Sequence, residues 1–163
     1  MRLILPIILF AILSGCLEVE ASSNDYDRHE LLVQFSLAPV TFTNSRRCTV
    51  DTGLWLNPYT GQFFSLASDL DVEHIVPLSW AHEHGGANWT VKLKRQFAED
   101  PENLGLVDGG RNQSKGDKGP DEWMPPYEPV RAIYVKRFMA IMEKYGLKFS
   151  SEESTQIPAL LEE

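Results

Sequence analysis

Three short runs carry residue types that could do chemistry together. Asp71-Val72-Glu73-His74-Ile75-Val76-Pro77 sets a carboxylate beside an imidazole, and Glu102-Asn103-Leu104 then supplies one amide. Asn112-Gln113-Ser114-Lys115-Gly116-Asp117-Lys118 supplies a second, followed by an ammonium. Cleaving a phosphodiester needs an activated water and relief of negative charge on the phosphate and the leaving oxygen. An imidazole with an ordinary pKa of about 6.5 can accept the water's proton at neutral pH. Carboxylate and amide oxygens are hard ligands of the kind Mg²⁺ takes. Neighbouring residues of a strand point to opposite faces, so Glu73 and His74 can share a site only where the strand ends, near Pro77.

The elements that must hold these residues follow from pattern. Leu70–Val76 reads as a strand stopped by Pro77, and Leu104–Val107 as a second, bounded by Asn103 and by Asp108-Gly109-Gly110. Asn112 is expected to open the helix after it. Between the strands, Ser79–His84 reads as one helical turn, Gly85-Gly86 as a break, and Trp89–Ala98 as a helix with Trp89, Leu93, Gln96 and Phe97 on one side. Upstream, a short helix over Glu30–Leu37 ends before Pro39. Strands and turns follow over Cys48–Phe64, with Trp55, Tyr59, Phe63 and Phe64 assigned to the core. The clearest helix covers Pro129–Tyr145, with Val130, Ile133, Tyr134, Phe138, Ile141, Met142 and Tyr145 as its apolar stripe and Gly146 as its cap. Ser151 caps a weak closing helix that carries Ile157, Leu160 and Leu161.

In this order the three runs resemble the HNH nuclease motif of the ββα-metal superfamily. The wider run from Trp80-Ala81 through Gly85-Gly86-Ala87-Asn88-Trp89, Arg95-Gln96-Phe97-Ala98 and Asp100-Pro101-Glu102-Asn103-Leu104 to Trp123-Met124-Pro125-Pro126 is similar to the secreted bacterial HNH endonucleases. The resemblance implies an α+β fold, with the ββα-metal motif embedded in a small, mainly helical domain. It makes His74 the general base and Glu73 and Asn112 metal ligands. Asp71 is expected to support the metal or the histidine, or else simply to open the strand. Asn103, the middle residue of the motif, is expected to pin the loop between the strands through backbone hydrogen bonds. Lys115 is expected to contact phosphate or to lie on the helix surface, and Arg95 to bind phosphate or the leaving group. The cofactor implied is a divalent metal, Mg²⁺ first and Mn²⁺ or Ca²⁺ as substitutes. The metal position holds Glu rather than Asp, and the last motif residue is Asn rather than His. Knuckle cysteines are missing, so no structural zinc is expected. His82 and His84 are read as loop histidines, with extra metal ligation as the alternative.

The remaining segments concern delivery. Arg2 followed by the apolar run Leu3–Leu13 and by Leu13-Ser14-Gly15-Cys16 resembles a bacterial lipobox, so residues 1–16 are read as a lipoprotein-type signal with Cys16 as the lipidation site, with an ordinary secretory leader or a buried apolar helix as the alternatives. Residues 17–30 are read as an acidic tether and residues 31–163 as the nuclease domain. With Cys16 acylated, Cys48 is expected to be a half-buried free thiol, with an intermolecular disulfide as the alternative. The net charge of −8 runs against a nucleic-acid binder. However, the acidity is concentrated in residues 17–30 and 151–163, and the stretch between is nearly neutral. The function implied is an extracytoplasmic, metal-dependent endonuclease of low sequence specificity. It would act on DNA, with RNA undistinguished, and be either tethered to a bacterial membrane by lipid or secreted, without an obligate protein partner. The alternative is a non-catalytic lipoprotein that uses the same scaffold to bind nucleic acid or protein.

Overall fold

The computed structural model describes residues 28–162. The lipobox, the proposed lipidation site Cys16 and most of the acidic tether lie outside these residues. Arg28, His29 and Glu30, at the end of that tether, open helix α1 (Arg28–Gln34). It ends three residues before the expected Leu37, and Leu37 N–H instead donates to Leu54 O at 2.7 Å, taking the chain into its first strand. Strands β1 (Thr52–Leu56) and β2 (Phe63–Leu66) form an antiparallel hairpin around the Asn57–Gly61 turn. Trp55 and Tyr59 are buried as expected, but Phe63 is 61% exposed, because strand alternation turns it to solvent.

The centre of the molecule is a second antiparallel pair, β3 (Leu70–His74) with β4 (Leu104–Asp108), in unbroken register from Leu70 opposite Asp108 to His74 opposite Leu104. Helix α4 (Gly109–Lys115) follows β4 directly. Asp108 caps it, its Oδ1 accepting from Arg111 N–H at 3.0 Å, so the helix opens three residues before Asn112, which sits within it. Between β3 and β4 the chain makes α2 (Leu78–Glu83) and α3 (Val91–Ala98). Helix α3 starts at Val91 rather than Trp89, because Thr90 Oγ1 accepts from Leu93 N–H. The fold is α+β: among the described residues, two small antiparallel sheets lie within a mainly helical framework.

Alternation along β4 sorts the core into two clusters. Leu104 and Leu106 join Leu31, Leu32, Trp55 and Leu70 under α1 and the hairpin. Val107 faces the other way, into a cluster with Trp80, Phe97 and helix α5 (Arg131–Tyr145). Helix α5 buries Tyr134, Val135, Phe138, Ile141, Met142 and Tyr145. Ile133, expected in that stripe, is 63% exposed, and Val135 takes the inward position. Gly146 closes the helix at φ 66°, ψ 25°, the left-handed geometry of a C′ residue.

The last helix, α6 (Glu153–Ala159), is capped by Ser150 rather than Ser151. Ser150 Oγ accepts from Glu153 N–H, and Ser150 N–H donates to the Glu153 carboxylate at 2.7 Å. His84, stacked on Trp80 with centroids 3.5 Å apart, meets the same carboxylate at 3.0 Å. Its Nδ1 faces Trp80 O at 2.7 Å, so one ring nitrogen is fixed to α2 while the other reaches across to α6. Cys48 is disulfide-bonded. This corrects the expectation of a free thiol.

Helix α5 also fastens the loop that leads into β4. The Asp100 carboxylate accepts from Tyr145 Oη and Lys144 Nζ, each at 2.7 Å, and Arg137 Nε donates to Glu102 O at 2.8 Å. Burial by itself would raise Asp100, but the hydrogen bonds from Lys144, Tyr145 and the Glu102 N–H outweigh it and hold the carboxyl below its ordinary value. Glu153 is likewise lowered: Ser150 and His84 outweigh the upward push of burial. A carboxylate with a depressed folded pKa stabilises the fold in full above its unfolded value of about 4, and that contribution is lost as pH falls through the folded value. Stability is therefore expected to drop in acid, and Asp100→Asn to flatten the drop. Urea unfolding across an acid pH series checks this, and an unchanged slope in the variant would refute it.

Candidate active site

His74 ends β3 at the edge of a cleft of about 440 Å³ that Glu73, Asn112, Ser79 and Asp117 also line. The strand stops because Ile75-Val76-Pro77 leaves the ladder, and this is what lets adjacent residues share one cleft. Asn103, fully buried, controls the turn. Its Oδ1 accepts from Val76 N–H at 2.8 Å and its Nδ2 donates to Val76 O at 3.2 Å. Its own backbone carbonyl accepts from Ile75 N–H at 2.9 Å. Asn103 thus holds both peptide groups of the residue before Pro77, and it does not line the cleft.

His74 Nε2 lies 2.9 Å from Ala98 O, at the end of α3. A carbonyl can only accept, so Nε2 carries the ring proton and Nδ1 keeps its lone pair. Burial lowers the His74 pKa, although the Ala98 carbonyl pulls the other way. The imidazole is therefore neutral at pH 7, with one nitrogen ready to take a proton.

Glu73 is buried, 3% exposed, and its Oε1 is held on two sides. Lys115 Nζ pairs with Oε1 at 2.5 Å, and Tyr59 Oη donates to the same oxygen at 3.4 Å. Neither bond involves Oε2, so one carboxylate oxygen is anchored while the residue still lines the cleft. Burial raises Glu73, opposed by Lys115 and Tyr59, and burial lowers Lys115, opposed by Glu73. Tyr59 is pushed up by burial and by Glu73, so it stays protonated and can donate. Asn112 turns Nδ2 toward Val72 O at 3.5 Å, which leaves Oδ1 as its acceptor.

The expected residues are thus partly brought together. Glu73, His74 and Asn112 converge on the cleft. Lys115 does not reach it: its Nζ is buried against Glu73 and donates to His74 O at 2.9 Å, which corrects both the phosphate-contact and the helix-surface expectation. Asp71 is exposed on β3, with its carboxylate over Gly109 at the start of α4, and it is not among the cleft residues. Arg95 lines a neighbouring cavity instead. His84 is taken up with Glu153, and His82 lines the same neighbouring cavity as Arg95. Three residues of the site were not assigned from sequence: Tyr59, Ser79 and Asp117. Asp117 had a signal, since it lies two residues after Lys115 in the third run, and Gly116 at φ 57°, ψ −127° turns the chain there as only glycine readily can. Tyr59 had none, because it reaches Glu73 from a different hairpin.

Among the described residues no cluster of three or more His, Cys, Asp or Glu side chains could enclose a metal ion. One carboxylate oxygen and one amide oxygen at an open cleft nonetheless suit a cation that keeps most of its waters and takes further oxygens from a phosphate, as Mg²⁺ does. The donor set fits such an ion.

Over residues 9–159 the sequence matches the family described as GmrSD restriction endonucleases, C-terminal domain. It is also similar to an uncharacterized secreted protein of Arthroderma benhamiae, 36% identical over 116 residues. That alignment covers 70% of this chain and 57% of the relative, so the chain spans little more than half the length of that protein. No solved structure matches.

Proposed function

From the premise that the chain belongs to the family of GmrSD restriction endonuclease C-terminal domains, a nuclease-related family, we propose that it is an HNH-type endonuclease that hydrolyses phosphodiesters of DNA with little sequence preference. The observation that carries this reading is the His74 tautomer: Ala98 O holds the proton on Nε2 beside an anchored carboxylate and a free amide oxygen. His74 Nδ1 takes the proton of the attacking water. Glu73 and Asn112 would hold a divalent ion through the oxygens that their other contacts leave over, and that ion would supply relief of negative charge on the phosphate and the leaving oxygen. Lys115 and Tyr59 fix the Glu73 carboxylate, and Asn103 fixes the turn that carries His74 to the cleft edge. Among the described residues no DNA-reading element is evident, which supports low specificity.

Plasmid DNA and an RNA of similar length, each offered with Mg²⁺, Mn²⁺ or Ca²⁺ and with excess chelator, test the reading. Metal-dependent nicking that chelator abolishes is the expected result, and the RNA arm reports substrate preference. A folded protein that cuts neither polymer with any of these ions would instead fit a binding scaffold.

The disulfide at Cys48 and the secreted relative both support export, since disulfides persist in oxidising compartments. The non-reduced mass of the exported protein tests the proposed lipid anchor. Acylation of Cys16 raises the mass, whereas a Cys16–Cys48 disulfide consumes the same sulfur and excludes the anchor.

A further inference from the structure

Beside the catalytic cleft lies a second cavity, of about 340 Å³, which the proposed reaction leaves unused. The two share Leu78 as a common wall, and Ala98, whose carbonyl holds His74, lines the second. Trp89 and Val91 contribute apolar surface, and Val91 is 80% exposed at the mouth. Trp89 is braced by Phe97 at 5.0 Å and Tyr145 at 5.7 Å between ring centroids. The polar side chains of the lining are His82, Lys94 and Arg95, with no carboxylate, in a chain whose net charge is −8. An apolar cavity with an indole in its wall and a wholly basic polar lining complements a flat aromatic group carried on a phosphate backbone.

We propose that this cavity is a nucleobase subsite, taking a base next to the scissile phosphate out of its stack while Lys94 and Arg95 meet the adjoining phosphates. The inference rests on the nuclease reading above and adds to it a preference for strands whose bases are free to turn out. It also gives Arg95 a role: it positions the strand rather than assisting the leaving group.

End-labelled single strands with one internal abasic nucleotide test it, compared in Mg²⁺ with the unmodified strand. The wild-type protein should cut the bonds beside the abasic position about tenfold more slowly than the same bonds in the control, the size of one base–aromatic stack. Val91→Glu places a carboxylate at the mouth, at an exposed first-turn position of α3 where an acid favours the helix. It should raise KM, keep kcat and lose the discrimination between the two strands, and Trp89→Ala should lose the discrimination as well. Equal cutting of both strands by the wild-type protein would overturn the subsite and leave the nuclease intact. If neither strand nor plasmid is cut, the nuclease reading fails and the subsite falls with it.

Discussion

Replacing His74 with alanine is expected to lower kcat for metal-dependent DNA cleavage by about 10²–10⁴-fold, the usual contribution of a positioned general base. KM should change little, because the imidazole acts on water and not on the strand. The reason is geometric. Ala98 O fixes the proton on Nε2 at 2.9 Å, so Nδ1 is the nitrogen left to act, and burial lowers the pKa and keeps the ring neutral. Added imidazole should restore part of the lost rate, since the variant leaves a small space at the cleft edge. A variant that retains wild-type kcat would assign the base elsewhere.

The second large effect is on stability. Lys115 is fully buried, and its ammonium is the cation that meets the Glu73 carboxylate. Lys115→Met keeps the volume but leaves that carboxylate buried with only the long Tyr59 bond. Removing one partner of such a pair costs about 3–5 kcal/mol. Glu73 can escape part of the cost by taking up a proton, because burial already raises its pKa and the opposing influence of Lys115 is gone. A carboxyl whose folded pKa lies above its unfolded value loses stability as pH rises through the folded value. The penalty should therefore grow as pH rises above the ordinary carboxylate range of about 4. The double variant Glu73→Gln, Lys115→Met should recover most of the stability while remaining inactive, since no charge is then left buried and the carboxylate of the proposed metal site is gone. Equal losses in the single and double variants would show that Lys115 contributes mainly by packing.

Those two residues mark the boundary between what the sequence determined and what needed the tertiary structure. The adjacency of Glu73 and His74, the proline that stops their strand, and the two later asparagines are covalent facts. Such facts, with the apolar alternation of β3 and β4, were enough for the strand–strand–helix frame and three of the cleft residues. They also sufficed for α5, because a fifteen-residue helix carries its period within itself. The part played by Asn103 came from the family resemblance, and the structure shows its amide holding both peptide groups of Val76.

What the sequence could not settle is which way each polar side chain points. Lys115 follows Asn112 in the third run, yet one helical turn aims it into the core, where Glu73 waits from another strand. Arg95 sits within reach of the site in any linear reading, but the rotation of α3 about its axis sends it to the neighbouring cavity. Tyr59 and Ala98 act through contacts spanning 14 and 24 residues, and local pattern carries no information about such contacts. The Cys48 expectation failed for a related reason. It was deduced from a proposed fate of Cys16, whereas a disulfide depends on which sulfurs the fold brings together. Charge and periodicity determine which elements form and which faces are apolar. Only packing decides which buried donor meets which acceptor, and in this protein that choice orients the carboxylate and the imidazole of the site.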